Sequence, residues 1–296
     1  MGFNILNNID KELRDVGYYP RPGDILFLRV LLRPGSNGIR AGLISGPPGV
    51  GKTSLGRALA RVLQGEELYF LCHHWVTEED LFIRIDPARV AALAGGLAEG
   101  RPEDAWRPGV LLRAAMASQR GPVVLILDEL DKAPERVDAL LLEFLQTGRV
   151  IGPFGERWTA CPENLLVILT DNGLRPLAEP LLRRVFRYRM GFLPPDTEAD
   201  LIRKHTGAPA PLARAIVALM DKIRAEGGSS PSLQEGVGLA AAMAVAGSAA
   251  DVALLIRGFL IKTPEDEEAL GGEGGIRQAA AALWGEWRRP RKGGVP

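Results

Sequence analysis

Four apolar runs punctuate the first two thirds of the chain, at 41–45 (AGLIS), 68–72 (LYFLC), 123–128 (VVLILD) and 165–170 (LLVILT). The last two are nearly continuous in Val, Ile and Leu, the pattern of parallel strands buried on both faces. Between the runs, apolar residues recur at helical spacing over 52–64 and 135–147, and again from 106 to 118. A fifth strand is expected over 187–192. Upstream, Ile5, Leu6, Ile9 and Leu13 share one face of a helix at 4–16, and Tyr18-Tyr19-Pro20-Arg21-Pro22 breaks it. Asp24 can cap a helix over 25–32, which Arg33-Pro34-Gly35-Ser36 ends. Repeated strand–helix units predict an α/β fold on a mainly parallel sheet with helices on both faces.

Two excursions interrupt this repeat. Residues 80–108 are rich in Ala and Gly, follow a possible cap at Thr77, and carry a short helix at 87–97; they read as an insertion. Residues 149–158, with Gly152-Pro153 and Gly155 between β-formers, read as a hairpin. Leu193-Pro194-Pro195 marks a boundary. Beyond it, helices at 196–206, 211–225, 231–246 and 249–261 form a small all-helical domain. Residues 263–275, acidic and glycine-rich, read as a solvated linker before a last helix at 276–287 and a basic tail. The domains are therefore 1–192, 193–262, and a linker with C-terminal helix over 263–296.

The chemistry begins where the first strand ends. Gly46-Pro47-Pro48-Gly49-Val50-Gly51-Lys52-Thr53 fits G-x-x-x-x-G-K-[ST], followed by Ser54 and a helix. A loop that wraps a triphosphate turns its N–H groups inward, which needs backbone angles that a side chain blocks. The helix opening at Lys52 adds free N–H groups and the positive end of its dipole. Lys52 would reach the β- and γ-phosphates of ATP, and the Thr53 hydroxyl would bind Mg2+.

The strand 123–128 ends in Asp128-Glu129, at the edge where an open α/β sheet places its ligand. Asp128 can hold Mg2+ through its water shell, and Glu129 can polarise an attacking water. The strand 165–170 leads into Asp171-Asn172, whose amide offers a donor and an acceptor to water or phosphate. Arg183-Arg184 closes a short helix over 177–184, either as cations at its dipole end or as an arginine finger reaching a neighbouring subunit.

Composition narrows the rest. Lys+Arg and Asp+Glu are both 36 in 296 residues, and 46% of the chain is apolar, so the balance announces neither a nucleic-acid nor a membrane partner. Cys72 and Cys161 lie far apart without metal spacing, which fits two buried thiols in a reducing cytoplasm. Cys72-His73-His74 invites a metal reading, but adjacent strand residues point to opposite faces. The N-terminus lacks the pattern of a signal peptide, and no apolar run reaches membrane-spanning length.

GPPGVGKTS, LILDELDKA, LTDN and EPLLRRV, in that order, resemble the AAA+ ATPases. Within these, YYPRPGD ahead of the first strand, LYFLCHHWVTEEDLF with WRPGVLLRA, and the segment 133–172 resemble the MoxR-like group, including CbbQ/NorQ and CoxD-type relatives. The resemblance covers about residues 18–262. It implies a five-stranded sheet ordered 5-1-4-3-2, a helical lid and a hexameric ring. It also implies that Tyr19 lies against the adenine, that Asn172 is sensor 1, and that Arg184 is the finger with Arg183 as the alternative. A sensor 2 arginine after the Ser230-Pro231 turn is missing.

The expected function is an ATP-hydrolysing ring that remodels or activates a client or adaptor protein, with a von Willebrand factor A domain among the candidate partners. The alternative is a nucleic-acid-acting motor, a helicase or a restriction-type translocase, against which the neutral charge argues. A nucleotide-gated scaffold is the third class, and the intact Asp128-Glu129 pair argues against it.

Overall fold

Val123–Asp128 is buried at every position, and Leu165–Asp171 at all but its last. These two strands can satisfy their backbone groups only in the middle of a sheet, and that is where a computed structural model of the chain places them. The structure describes residues 2–33, 38–97, 99–100, 105–152 and 155–289. The expected break at Pro34-Gly35-Ser36, the hairpin residue Pro153 and the basic tail from 290 lie outside these.

The chain divides into two compact units, one of residues 1–46 and 51–190, the other of 47–50 and 191–296. In the first, α1 (Gly2–Asp15) and α2 (Pro22–Leu31) precede β1 (Arg40–Ser45), α3 (Lys52–Val62) and β2 (Glu66–Leu71). The insertion holds α4 (Glu78–Leu81), β3 (Ile83–Ile85), α5 (Pro87–Ala94) and β4 (Trp106–Pro108). Then follow α6 (Val110–Ser118), β5 (Val123–Asp128), α7 (Arg136–Thr147), β6 (Arg149–Ile151), β7 (Arg157–Thr159), β8 (Leu165–Asp171), α8 (Glu179–Arg184) and β9 (Phe186–Arg189).

The sheet runs β2-β5-β8-β1-β9 with every pair parallel, the order 5-1-4-3-2 read from its far end. Helices cover both faces. Leu111, Leu112, Leu141 and Phe144 of α6 and α7 join Leu43, Leu125 and Val167 in one core. On the other face Gly56 of α3 sits against Ile126 and Ile168, where a larger residue would collide. The two excursions are small antiparallel pairs, β3 with β4 and β6 with β7. Trp106 of one meets Trp158 of the other edge-on, ring centroids 5.6 Å apart.

Three local readings change. Asp24 is not the cap of α2: the N-cap is Arg21, and Asp24, fully buried, accepts its backbone N–H at 2.9 Å and the hydroxyls of Tyr18 and Tyr188 at 2.8 Å each. Residues 106–108 form a strand rather than the first turn of α6, because Trp106 pairs with Ile85 and Gly109 caps the helix. Cys72 is buried, but Cys161 is only half-buried, beside the Glu163 carboxylate.

The second unit is helical: α9 (Pro195–Thr206), α10 (Ala210–Glu226), α11 (Leu233–Ala242), α12 (Ala249–Leu260), α13 (Pro264–Ala269) and α14 (Gly272–Arg288). Arg224 and Glu198 form a buried two-pronged ion pair, and the Arg224 guanidinium stacks on Phe192. Residues 263–275 are not a linker. Thr263 and Asp266 form a capping box with Pro264 in the first turn, and Gly271 and Gly272 at φ +91 and +63 turn the chain into α14. Leu270, Ile276, Ala280 and Leu283 join the same core as Ile216 and Ile256. Acidic composition hid a helix start, since carboxylates are favoured there. Among the described residues no helix is long and apolar enough to cross a membrane.

Asp266 makes this arrangement pH-dependent. It is fully buried and accepts the N–H groups of Lys262, Thr263 and Ser229 at 2.8–3.0 Å. Burial alone would raise its pKa, but these hydrogen bonds outweigh that and hold it below the ordinary carboxylate value. A depressed folded pKa contributes stability above the unfolded value, about 4, that is lost as pH falls through the folded one. Acidification below about pH 4 should therefore loosen the helical unit, and Asp266→Asn should both lower its urea midpoint at pH 7 and flatten the acid dependence. An acid profile unchanged by the substitution would contradict this.

Candidate functional site

β1 delivers the chain to the loop with Ser45 Oγ 3.2 Å from Asp171 Oδ2 and the Gly46 N–H donating to the Asp171 carbonyl at 3.2 Å. Gly46, Gly49 and Gly51 have φ of +153, +77 and +101, and a Cβ on Gly46 would run into the Met190 carbonyl. The glycines are thus demanded by backbone geometry. α3 opens at Lys52, which is 6% exposed. Its Nζ donates to the Gly46 carbonyl at 2.6 Å and to Asn172 Oδ1 at 2.7 Å. Burial lowers the Lys52 pKa, while Asp128, Asp131, Asp171 and Glu129 push it back up.

The parallel pairing of β1, β5 and β8 brings their C-terminal ends side by side, which unites Lys52, Asp128, Glu129 and Asn172. Asp128 Oδ1 accepts hydrogen bonds from Thr53 at 2.7 Å and Thr170 at 2.6 Å, and Oδ2 accepts one from Tyr69 at 3.0 Å. Burial, together with the hydrogen bond and charge of Asp128, pushes the Tyr69 phenol up to about 12, so it stays a donor near neutrality. Glu129 follows in the left-handed region, φ 55 and ψ 49. Its N–H donates to Thr170 Oγ1 at 2.8 Å, Oε1 accepts from Asn172 Nδ2 at 3.1 Å, and Oε2 pairs with Lys132 Nζ at 2.6 Å. Lys52, Asn172, Glu129 and Lys132 therefore form one hydrogen-bonded chain.

Several members of this site carried no motif. Asp131 accepts the N–H groups of Asn172 and Leu174 at 3.1 and 2.9 Å and so fixes the turn that carries Asn172. Arg175 grips Asp138 with two bonds of 2.9 and 2.7 Å and also reaches the Ala133 carbonyl at 2.8 Å. Lys132 and Asp131 lie inside the quoted LDELDKA stretch; Tyr69, Thr170 and Asp138 could be found only once strand register was known.

Other candidates lie apart from this chain of bonds. Ser54 is exposed on the first turn of α3. Tyr19 is half-buried, with the Arg14 guanidinium 5.9 Å over its ring. Arg184 Nη2 donates to the Ile39 and Leu145 carbonyls of its own chain at 2.9 and 2.8 Å, and burial lowers its pKa. Arg183 is exposed and pairs with Glu179 one turn back.

The donor set fits the ligands that the motifs imply. Thr53 and Asp128 offer only oxygen, the preference of a hard cation such as Mg2+. The glycine loop offers N–H groups and an ammonium, which suit phosphate. Among the described residues no cluster of three His, Cys, Asp or Glu residues is arranged to hold a metal by itself.

Known proteins share this segment. Residues 42–186 match the family described as AAA domain (dynein-related subfamily). The chaperone MoxR1 of Mycobacterium tuberculosis is 32% identical over 121 residues, 38% of this chain and 31% of that protein. The chaperone ClpB of Aquifex aeolicus is 35% identical over 143 residues, 44% and 12% of the two chains. The Lon protease of Koribacter versatilis is 33% identical over 148 residues, 48% and 16%. The matched segments amount to less than a third of each of these relatives. The family match runs from within β1 to the first residue of β9 and takes in every residue of the chain of bonds around Lys52, which supports an ATP-hydrolysing domain of AAA+ type with ATP and Mg2+ as its cofactors.

Proposed function

We propose that this chain is a cytoplasmic AAA+ ATPase of MoxR-like type, working as a subunit of a hexameric ring that remodels or activates a partner protein. The observation that carries the reading is the continuous linkage Lys52–Asn172–Glu129, which ties the phosphate-facing cation to the water-polarising acid. The partial likeness to MoxR1 and ClpB, both named as chaperones, supports the partner-directed role. A client or adaptor with a von Willebrand factor A domain is the partner that the MoxR-like resemblance suggests.

In this reading Gly46–Ser54 holds the triphosphate, with Lys52 facing the β- and γ-phosphates, and Tyr19 borders the adenine. Thr53 and Asp128 would hold Mg2+, which supplies charge neutralisation on the phosphates. Glu129 takes up the proton of the attacking water, and Asn172 orients that water and senses the γ-phosphate. The bonds from Asn172 and Lys132 to Glu129 hold its carboxylate in place beside Lys52. The finger comes from Arg183 or Arg184. The register of the resemblance gives Arg184, but its guanidinium holds two carbonyls of its own chain, whereas Arg183 is exposed at the end of α8. Geometry therefore favours Arg183 for the role in trans.

Lys52→Ala should abolish tight ATP binding, while Glu129→Gln should bind ATP and retain it unhydrolysed, as read by filter retention and by phosphate release. Equal loss of binding in both variants would refute the division of roles. Arg183→Ala should fold and bind ATP yet hydrolyse it slower by on the order of a thousandfold. Mixing it with Glu129→Gln protein should restore part of the activity, because some interfaces then pair a sound Glu129 with a sound Arg183. Arg184→Ala should instead cost about 1.5–3 kcal/mol of stability through its carbonyl contacts. The reverse outcome makes Arg184 the finger, and indifference of both would end the shared-site reading.

The partner-facing role predicts a different separation. Replacing residues 87–100 by a short glycine linker should preserve ATP binding and remove stimulation of turnover by the partner. Stimulation by DNA, unaffected by that deletion, would favour a nucleic-acid motor instead.

A further inference from the structure

We infer that Tyr69, on the edge strand β2, is a positioning residue that fixes the Asp128 carboxylate and thereby sets how tightly the site takes up Mg2+. The inference rests on the reading of Asp128 as a Mg2+ residue. Side chains alternate along β2, so Leu68 enters the core while Glu67 and Tyr69 share the other face. Arg57 of α3 meets both, with Nε 3.4 Å from Glu67 Oε1 and its guanidinium 4.9 Å over the Tyr69 ring. Held on that face, the phenol reaches along the neighbouring strand to Asp128 Oδ2.

The three hydroxyls on Asp128 come from three different elements, and they are not equivalent. Thr53 belongs to the loop that offers its hydroxyl to the metal, so it cannot be a permanent anchor. Thr170, fully buried, keeps Oδ1 and also accepts the Glu129 N–H. Tyr69 holds the other oxygen, Oδ2. A carboxylate gripped at one oxygen can rotate about its last bond; gripped at both, it presents fixed lone pairs. Removing an outer hydrogen bond of this kind typically costs about 10–100-fold in metal affinity. Tyr69 would thus act on metal uptake without touching nucleotide, metal or water.

The test is a Mg2+ titration of the binding of a fluorescent ADP analogue to the full chain. Tyr69→Phe keeps the ring and its stacking with Arg57, and should raise the half-saturating Mg2+ concentration about tenfold. Affinity for the analogue in EDTA should stay within about twofold, since the phosphate loop is untouched. Asp128→Asn, run in parallel, should shift the midpoint further. A shift in Asp128→Asn with none in Tyr69→Phe overturns the role of Tyr69 and leaves that of Asp128 standing. No shift in either overturns both. A matching loss of affinity in EDTA would mean general damage to the site, and would also overturn the proposal.

Discussion

The ion pair between the half-buried Arg175 and the buried Asp138 is the constraint on which the site depends. Arg175 leaves the turn after β8, and Asp138 lies in the first turn of α7. Their two bonds, the contact of Arg175 with the Ala133 carbonyl and the bond from the Ala178 N–H to Asp138 Oδ2 join four segments. These are the exit from β5, the start of α7, the exit from β8 and the start of α8. Asp138 is 1% exposed, so the pair gains little net energy over a packed apolar alternative, and its value is geometric. It ties the turn after β8, which carries Asn172, to the exit from β5, which carries Glu129, and these two residues meet at 3.1 Å.

The same crowding explains the electrostatics. Asp128, Glu129, Asp131 and Asp171 all bear on Lys52, so the pocket for an anionic ligand is itself rich in carboxylates. Asp131 even keeps one oxygen, Oδ1, buried with no hydrogen-bond partner among the described residues. A polyphosphate can enter such a place only with compensating charge, from the loop N–H groups, from Lys52 and from a divalent cation that arrives with it. The net charge of zero for the whole chain gave no hint of this local imbalance.

The sheet was legible because its signals are local: two runs of five apolar residues, rich in Val and Ile, read as central strands, and the loop that follows β1 announces itself by its glycines. Lys52, Thr53, Asp128, Glu129 and Asn172 followed from those strand ends. What stayed hidden depends on register. Tyr69 reads as an ordinary strand former until the parallel pairing of β2 with β5 carries it toward Asp128. Thr170 reads as a core residue until its hydroxyl is seen to donate to the Asp128 carboxylate and accept the Glu129 N–H. The stretch 263–275 misled because acidic residues and glycines were weighed as composition, although Thr263 and Asp266 already carried the spacing of a capping box. Arg184 turns inward to two carbonyls of its own chain, and spacing alone does not say which of two neighbouring arginines will do so.

Glu129 has a left-handed backbone, a conformation that costs a non-glycine residue on the order of 1–3 kcal/mol. Any selection for thermal endurance alone would therefore favour glycine at this position, or asparagine, and would gain stability by discarding the acid. In that strained conformation its carboxylate meets Asn172 at 3.1 Å. A screen for heat resistance would therefore press on this one backbone position and on the carboxylate contacts with Asn172 and Lys132 at the same time.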